Sequence, residues 1–260
     1  MLAAVDWHVV WMRIGHPDHV FFRAMYTTVY MAVIAQVMGV LLGLVAALMR
    51  TSKLAPLRWL SGIYVWIFRG TPLLVQIFLI YYGSNIFLGF TLIPNTLHLG
   101  LFSLDGAVVA GILALGINEG AYMREIIRAG IDSIDRGQME ASKSLGMRYS
   151  LAMRRIILPQ AARVIVPPLG NEFNNMLKNT SLVFTIGVLD LFGDAEIRYS
   201  NTFQPEFFLA VAFWYLVLTT VWTFIQAAIE RKLAVSERAD DIGFFDRLAF
   251  GRMPRFGQAR

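Results

Sequence analysis

The chain has 260 residues, of which 57% are hydrophobic and only 16% charged, with a net charge of +5. A soluble domain of this length is usually about half apolar and about a quarter charged, so the excess points to a bilayer as solvent and to one integrated bundle. The positive balance sits beside apolar stretches, where lipid orientation explains it better than nucleic acid does, and the lack of cysteine excludes disulfides and thiol catalysis. The first residues, MLAAVDWHVVWMRIGHPDH, have no basic start followed by a short apolar core, so no cleaved signal peptide is expected. A helix needs about 20 mainly apolar residues to cross the hydrocarbon core. Five stretches meet or approach this: Met25–Met49, uncharged throughout; Leu60–Tyr82, interrupted by Arg69; Leu104–Ile127, with Glu119, Arg124 and Glu125 in its second half; Arg163–Leu182; and Phe207–Ile229. Two other apolar stretches, Ile86–Phe102 and Ser181–Phe192, read as interfacial or re-entrant segments on the outer side.

Charge asymmetry sets the expected topology. The first connection carries Arg50, Lys53 and Arg58, whereas Gly83–Ser103 carries no Lys or Arg. The third connection holds Arg136, Lys143, Arg148, Arg154 and Arg155, the fourth has only Lys178 and Arg198 nearby, and the tail after the fifth span is again basic. Lys and Arg gather on the cytoplasmic side. The expectation is an extracytoplasmic segment over residues 1–23, a transmembrane domain over 24–230, and a basic cytoplasmic tail over 231–260.

Between the third and fourth spans lies a charged, amphipathic segment, about residues 132–160, with GQMEASKSLGMRYSLAMRRIILPQ from Gly137 to Gln160. Gln138–Leu145 is a short helix of good formers, and Gly146 follows where a helix end favours a residue free to take positive φ. Ser150 is a candidate N-cap for a second helix, Leu151–Leu158, which Pro159 would kink or end. The physics alone fits either a docking surface for a soluble partner or a helix lying on lipid.

The ordered motifs Gly137-Gln138, Glu140-Ala141-Ser142, Gly146 and Leu158-Pro159-Gln160 resemble the cytoplasmic coupling segment of bacterial ABC-importer permeases, with Ser142 in place of the family's second alanine. Phe68-Arg69-Gly70-Thr71-Pro72 resembles the signature of the polar amino-acid uptake permeases. Ala121-Tyr122, Glu125, Arg128 to Ile131, Pro167-Pro168-Leu169, Asn171 and Leu177 to Leu182 fit the same pattern, so the resemblance covers roughly Ala24 to Ile229. It implies an all-α, five-span bundle of the type I importer kind, in the bacterial inner membrane, with the N-terminus outside and the C-terminus cytoplasmic. It further implies a second permease subunit (a copy or a paralogue), two cytoplasmic ATPase subunits docked at Glu140, Ala141, Ser142 and Gly146, and an extracytoplasmic amino-acid-binding protein. No Gly-Lys dipeptide occurs, hence no phosphate-cradling GxxxxGK[ST] loop. No cofactor is therefore expected in this chain, with ATP and Mg held by the partner ATPases.

Polar residues at bilayer depth are costly and usually face an interior, a cavity or a partner. At about 100° per residue, Asn171, Glu172, Asn174, Asn175, Lys178 and Asn179 fall in one arc, opposite Phe173, Met176 and Leu177. That arc reads as a wall of the translocation pathway, or else as a subunit interface or a helix end among headgroups. Pro167-Pro168 is expected to break this helix near its cytoplasmic side. In the third span, Asn118, Tyr122, Glu125 and Ala129 share a face, with Glu119 one residue away. Glu119 reads either as a cavity-facing partner for a substrate's cationic group or as an internal ion pair with Arg69 or Lys178. Glu125 and Arg128 can pair across one turn. Arg69, at the Gly70-Pro72 break, can hold a substrate carboxylate or serve the break itself. The function expected is ATP-driven uptake of polar amino acids by alternating access, with no chemistry in this chain; the competing reading is an ion-driven secondary transporter. A membrane enzyme lacks support, because no HExxH pattern occurs and His8, His16, His19 and His98 lie outside the expected spans.

Overall fold

A computed structural model describes residues 5–91, 93–99 and 102–241. They form helices α1 (Trp7–Gly15), α2 (His19–Thr51), α3 (Ala55–Gly70) and α4 (Leu73–Leu88), then a two-stranded antiparallel hairpin, β1 (Thr96–Leu99) and β2 (Phe102–Asp105). Helices α5 (Gly106–Asp132), α6 (Arg136–Ser144), α7 (Tyr149–Ala152), α8 (Leu158–Asn179), α9 (Leu191–Thr202) and α10 (Glu206–Asp241) follow. The fold is all-α apart from the hairpin, which occupies part of the stretch expected to be interfacial. Most of the basic tail lies outside the described residues.

Among the described residues, three helices are long and apolar enough to cross a membrane: His19–Thr51, Gly106–Asp132 and Glu206–Leu233. The second expected span is not one straight helix. Ala55–Gly70 and Leu73–Phe87 qualify only as a pair, bent by 107° where Thr71 and Pro72 interrupt them. The fourth expected span falls mainly in α8, whose polar residues keep it out of that set.

The core is the α2–α5 pair. Small residues let the two backbones approach, as in membrane bundles generally. A Cβ at Gly116 would sit 3.1 Å from the Ala35 carbonyl oxygen, and one at Gly43 would sit 2.9 Å from the Arg124 backbone nitrogen. Gly111 packs on Met31, Gly116 on Met38 and Gly43 on Met123, so α2 and α5 run parallel and in step. Met31, Ala32, Ala35, Ala110, Ala114 and Leu115 fill this seam, joined by Met176 and Leu177 from α8.

Three expectations about the coupling segment and the fourth span fail. Tyr149 to Asn179 is one helical run through a π turn at Met153–Ile157, so the second coupling helix does not end at Leu158. The π turn directly precedes Pro159, so the regular i→i−4 ladder is already interrupted where the proline lacks an N–H. Ser150 does not cap, since the helix starts one residue earlier with Arg148 at the cap position. Pro167 and Pro168 lie inside α8 without breaking it. Helix α10 braces that turn from outside: Trp222 Nε1 donates to the Gly170 carbonyl at 2.7 Å, and Gln226 Nε2 donates to the Pro167 carbonyl at 3.2 Å. Neighbouring helices routinely steady proline turns in membranes this way.

Candidate functional site: a polar helix face joined to an exposed coupling helix

Helix α6 is capped by Asp135, whose side chain accepts from the Gly137 N–H at 2.6 Å. It closes with a Schellman turn: the Gly146 N–H bonds the Lys143 carbonyl, and the Met147 N–H bonds the Ser142 carbonyl. Gly146 takes a φ of +77°, which an L side chain would resist. Ser142 is buried and donates to the Gln138 carbonyl, which explains why only a small residue fits there. Glu140, Ala141 and Lys143 are exposed. Leu145 is 81% exposed and Tyr149 63% exposed. Sequence reasoning missed these two, because an exposed apolar side chain beside a turn has no periodic signature. Charged and apolar groups together make a surface suited to a protein partner.

In α8 the expected apolar side is buried and most of the expected polar arc is accessible. Met176 and Leu177 are buried in the core, and Phe173 packs on Trp222 with ring centroids 4.3 Å apart. Asn171, Asn175 and Lys178 are exposed on the other side, with Glu172 half-buried beside them. Gln226 also donates to the Asn171 Oδ1 and to Glu230. Asn174 keeps a buried Oδ1 without a hydrogen-bond partner.

The third-span residues separate. Glu119 is buried between α2 and α5, its side chain against Gly39, and its Oε1 accepts from Gln36 Nε2 at 3.2 Å. No ion pair joins it to Arg69 or Lys178 among the described residues. Glu172 lies within electrostatic range of it. The Arg69 guanidinium instead stands 5.2 Å from the centre of the Tyr122 ring, a cation–π contact. Glu125 pairs with Arg128 at 3.2 Å, as its spacing suggested, and also with Arg124.

The break that places Arg69 is held by groups sequence reasoning did not single out for that role. Gln76 Nε2 donates to the Phe68 and Thr71 carbonyls, at 2.9 and 3.0 Å. Asn118 Nδ2 donates to the Phe68 carbonyl and to Gln76 Oε1, and Tyr64 OH donates to the Ile117 carbonyl. Carbonyls freed by the bend are thereby satisfied from α4 and α5, and the bend is fastened to the helix that carries Tyr122.

The opposite end of α2 has its own charged cluster. Arg198 on α9 bonds Asp18 and Asp194, each at 2.8 Å, and Arg13 on α1 bonds Asp18 at 2.8 Å. Partial burial opposes the Asp18 charge, but the Phe21 N–H, Arg13 and Arg198 outweigh it and hold its pKa down at about 2. Burial likewise works against the Arg198 charge, yet Asp194 and Asp18 raise its pKa overall.

The family described as the binding-protein-dependent transport system inner membrane component matches residues 39–235. The arginine transport system permease protein ArgU of Corynebacterium glutamicum is 43% identical over 214 residues, which cover 78% of this chain and 65% of that protein. The probable amino-acid permease protein YxeN of Bacillus subtilis is 39% identical over 234 residues, covering 90% of this chain and 98% of that protein. A chain from a crystal structure of an amino acid ABC transporter with histidines superposes with a TM-score of 0.75 at 38% identity, covering 89% of this chain and all of that one. The methionine ABC transporter MetNI, in an inward-facing form, gives a TM-score of 0.68 at 17% identity, with 84% of this chain and 99% of that one covered, and so shares the fold.

Proposed function

The chain belongs to the family of inner membrane components of binding-protein-dependent transport systems, and on that premise we propose how it works as the multi-pass permease subunit of an ATP-driven amino-acid importer. The observation that carries the proposal is the unbroken helical run from Tyr149 to Asn179. It places the exposed coupling helix α6 at one end of a rod and the polar face of α8 at the other. A displacement of α6 by an ATPase partner therefore passes only the hydrogen-bonded turn at Gly146 before it reaches Asn171, Glu172, Asn175 and Lys178.

The partners are cytoplasmic ATPase subunits docked on Glu140, Ala141, Leu145 and Gly146, a second permease subunit, and an extracytoplasmic binding protein. ATP and Mg sit on the ATPase subunits, and this chain does no covalent chemistry. The substrate class is polar amino acids, supported by the naming of relatives for arginine, glutamine and cystine. An amino acid presents a carboxylate and an ammonium group. Arg69, steadied by Tyr122, offers a cation for the first, and half-buried Glu172 an anion for the second. Glu119, enclosed by Gln36 and Gly39, packs behind that face and is not a direct contact.

The test is uptake into proteoliposomes holding the whole complex, with the binding protein screened against labelled amino acids. ATP-dependent uptake of a polar amino acid is expected. Glu172→Gln should cut uptake of a cationic amino acid about tenfold or more, which is the loss of about 1.4 kcal/mol, while leaving ATPase docking intact. Uptake that follows an ion gradient after removal of the ATPase subunits would sink the reading.

A further inference from the structure

A second charged recess lies away from α8, where α2 turns into α3. It has a volume of about 320 Å³ and is lined by Arg50, Arg58, Trp59, Gly62, Ile63 and Trp66. Arg50 stands exposed in the last turn of α2. Arg58 is fixed: its Nη1 donates to the Ser52 carbonyl at 3.1 Å and to the Lys53 carbonyl at 2.9 Å. Those acceptors are neutral, so the guanidinium charge is not cancelled. Among the described residues no carboxylate forms an ion pair with either arginine. Arg124 on α5 lies within electrostatic range of Arg50 but is paired with Glu125, so the recess charge rests on Arg50 and Arg58. The recess thus concentrates positive charge at a helix end.

Its other wall is apolar and exposed. Trp59 and Trp66 are seven residues apart with Ile63 between them, so all three lie along one face of α3. Trp59 is 72% exposed and Trp66 76% exposed. A Cβ added at Gly62 would meet nothing within 4 Å, so the glycine leaves the floor open. From Trp59 to Trp66 the face climbs about 10 Å along the helix. A ligand that fits has an anionic head for the two arginines and a long apolar body for the tryptophan–isoleucine face.

We propose that this recess binds an anionic phospholipid, with the phosphate at Arg50 and Arg58 and an acyl chain along Trp59, Ile63 and Trp66. The chain is a membrane protein, so such lipids surround it. Basic groups and tryptophan together are the usual anchors at the headgroup level. Free phosphate would use the arginines but has no use for 10 Å of apolar face, and a soluble partner would not reach Trp66 at bilayer depth. Because α2 and α5 run parallel, the recess lies at the same end as α6. A lipid held there steadies the α2–α3 turn beside the coupling segment. The proposal rests on the membrane location of the chain and is independent of the import reading.

The experiment uses the assembled importer in detergent, titrated with dioleoyl phosphatidylglycerol or phosphatidylcholine and read by native mass spectrometry. Wild-type protein should retain phosphatidylglycerol in preference to phosphatidylcholine. Removing Arg50 and Arg58 together (R50Q/R58Q) should weaken retention about fivefold per arginine. Gly62→Phe fills the recess, leaves both charges, and should abolish the preference. In nanodiscs of unaltered protein, a photoreactive phosphatidylglycerol should label the peptide spanning residues 54–66, which keeps the question decidable if a variant folds poorly. Labelling confined to other peptides would overturn the proposal. So would equal retention in wild type and Gly62→Phe, displacement by millimolar inorganic phosphate, or variants that part the permease pair, since the last marks a subunit interface.

Discussion

The two ends of the α2–α5 pair are built on opposite principles. At the start of α2 the charges are turned on one another: Arg198 is shared between Asp18 and Asp194, Arg13 joins them, and the Asp6 N–H bonds Glu206, tying α1 to α10. At the other end Glu140, Lys143 and Arg148 point outward, and Leu145 and Tyr149 stand exposed beside them. At the first end the charges pair within the chain. At the second, among the described residues, none of Glu140, Lys143 and Arg148 forms an ion pair. Charge count alone does not separate a structural from a docking region, because both ends are rich in it; what separates them is whether the charges already have partners.

The strongest way to break this contrast is to reverse a charge at the α6 end. Glu140→Lys leaves the fold of the permease alone, because Glu140 makes no side-chain contact that α6 needs. Against a docked ATPase it places a wrong charge in an interface, where disrupted pairs cost about 2–5 kcal/mol. The expected result is normal membrane insertion with uptake and substrate-stimulated ATPase reduced tenfold or more. Normal values for both in a correctly inserted variant would remove α6 from the docking role.

The next effect should come from the seam joining the ends. Gly43→Leu drives a side chain into Met123 and the Arg124 backbone, which the Cβ alone would already meet. Overpacking of this kind costs about 1–3 kcal/mol or more. A clear fall in Tm of the detergent-solubilised complex is expected, with both ends affected together. A variant as stable as wild type would mean that α2 and α5 separate easily and do not act as one rod.

Much of the α6 end was legible because its signals are local. Gly146 after a run of helix formers specifies the Schellman turn within six residues, and the α8 arc follows from a 3.6-residue period that burial of Met176 and Leu177 matches. The opposite end was not legible, because its bonds join residues 180 apart in the chain, as Asp18 to Arg198. The prolines misled for a similar reason. Pro167 and Pro168 look like a break in isolation, and only the distant Trp222 and Gln226 brace the turn that keeps them in a helix. The bend at Thr71 and Pro72 was signalled by Gly70 and Pro72, but its fastening by Asn118 and Gln76 was not, since polar side chains announce no direction of their own.

The smallest expected effect concerns the Asp18 cluster, and it has a pH signature. Asp18 titrates at about 2 in the folded protein, below the ordinary carboxylate value of about 3.9. A group with a depressed folded pKa contributes stability that is fully present above its unfolded pKa and is lost as pH falls through the folded one. Comparison with Asp18→Asn isolates this term from the other carboxylates. Above about pH 4 the wild type should melt at a higher temperature than the variant, and the gap should close as pH falls from about 4 to about 2. Because Asp18 is partly exposed, the gap is modest, in the range of surface ion pairs sharing one network. A gap that persists unchanged down to pH 2 would mean that the asparagine acts through its shape, at the α2 cap, and that Arg13 and Arg198 do not hold the cluster by charge.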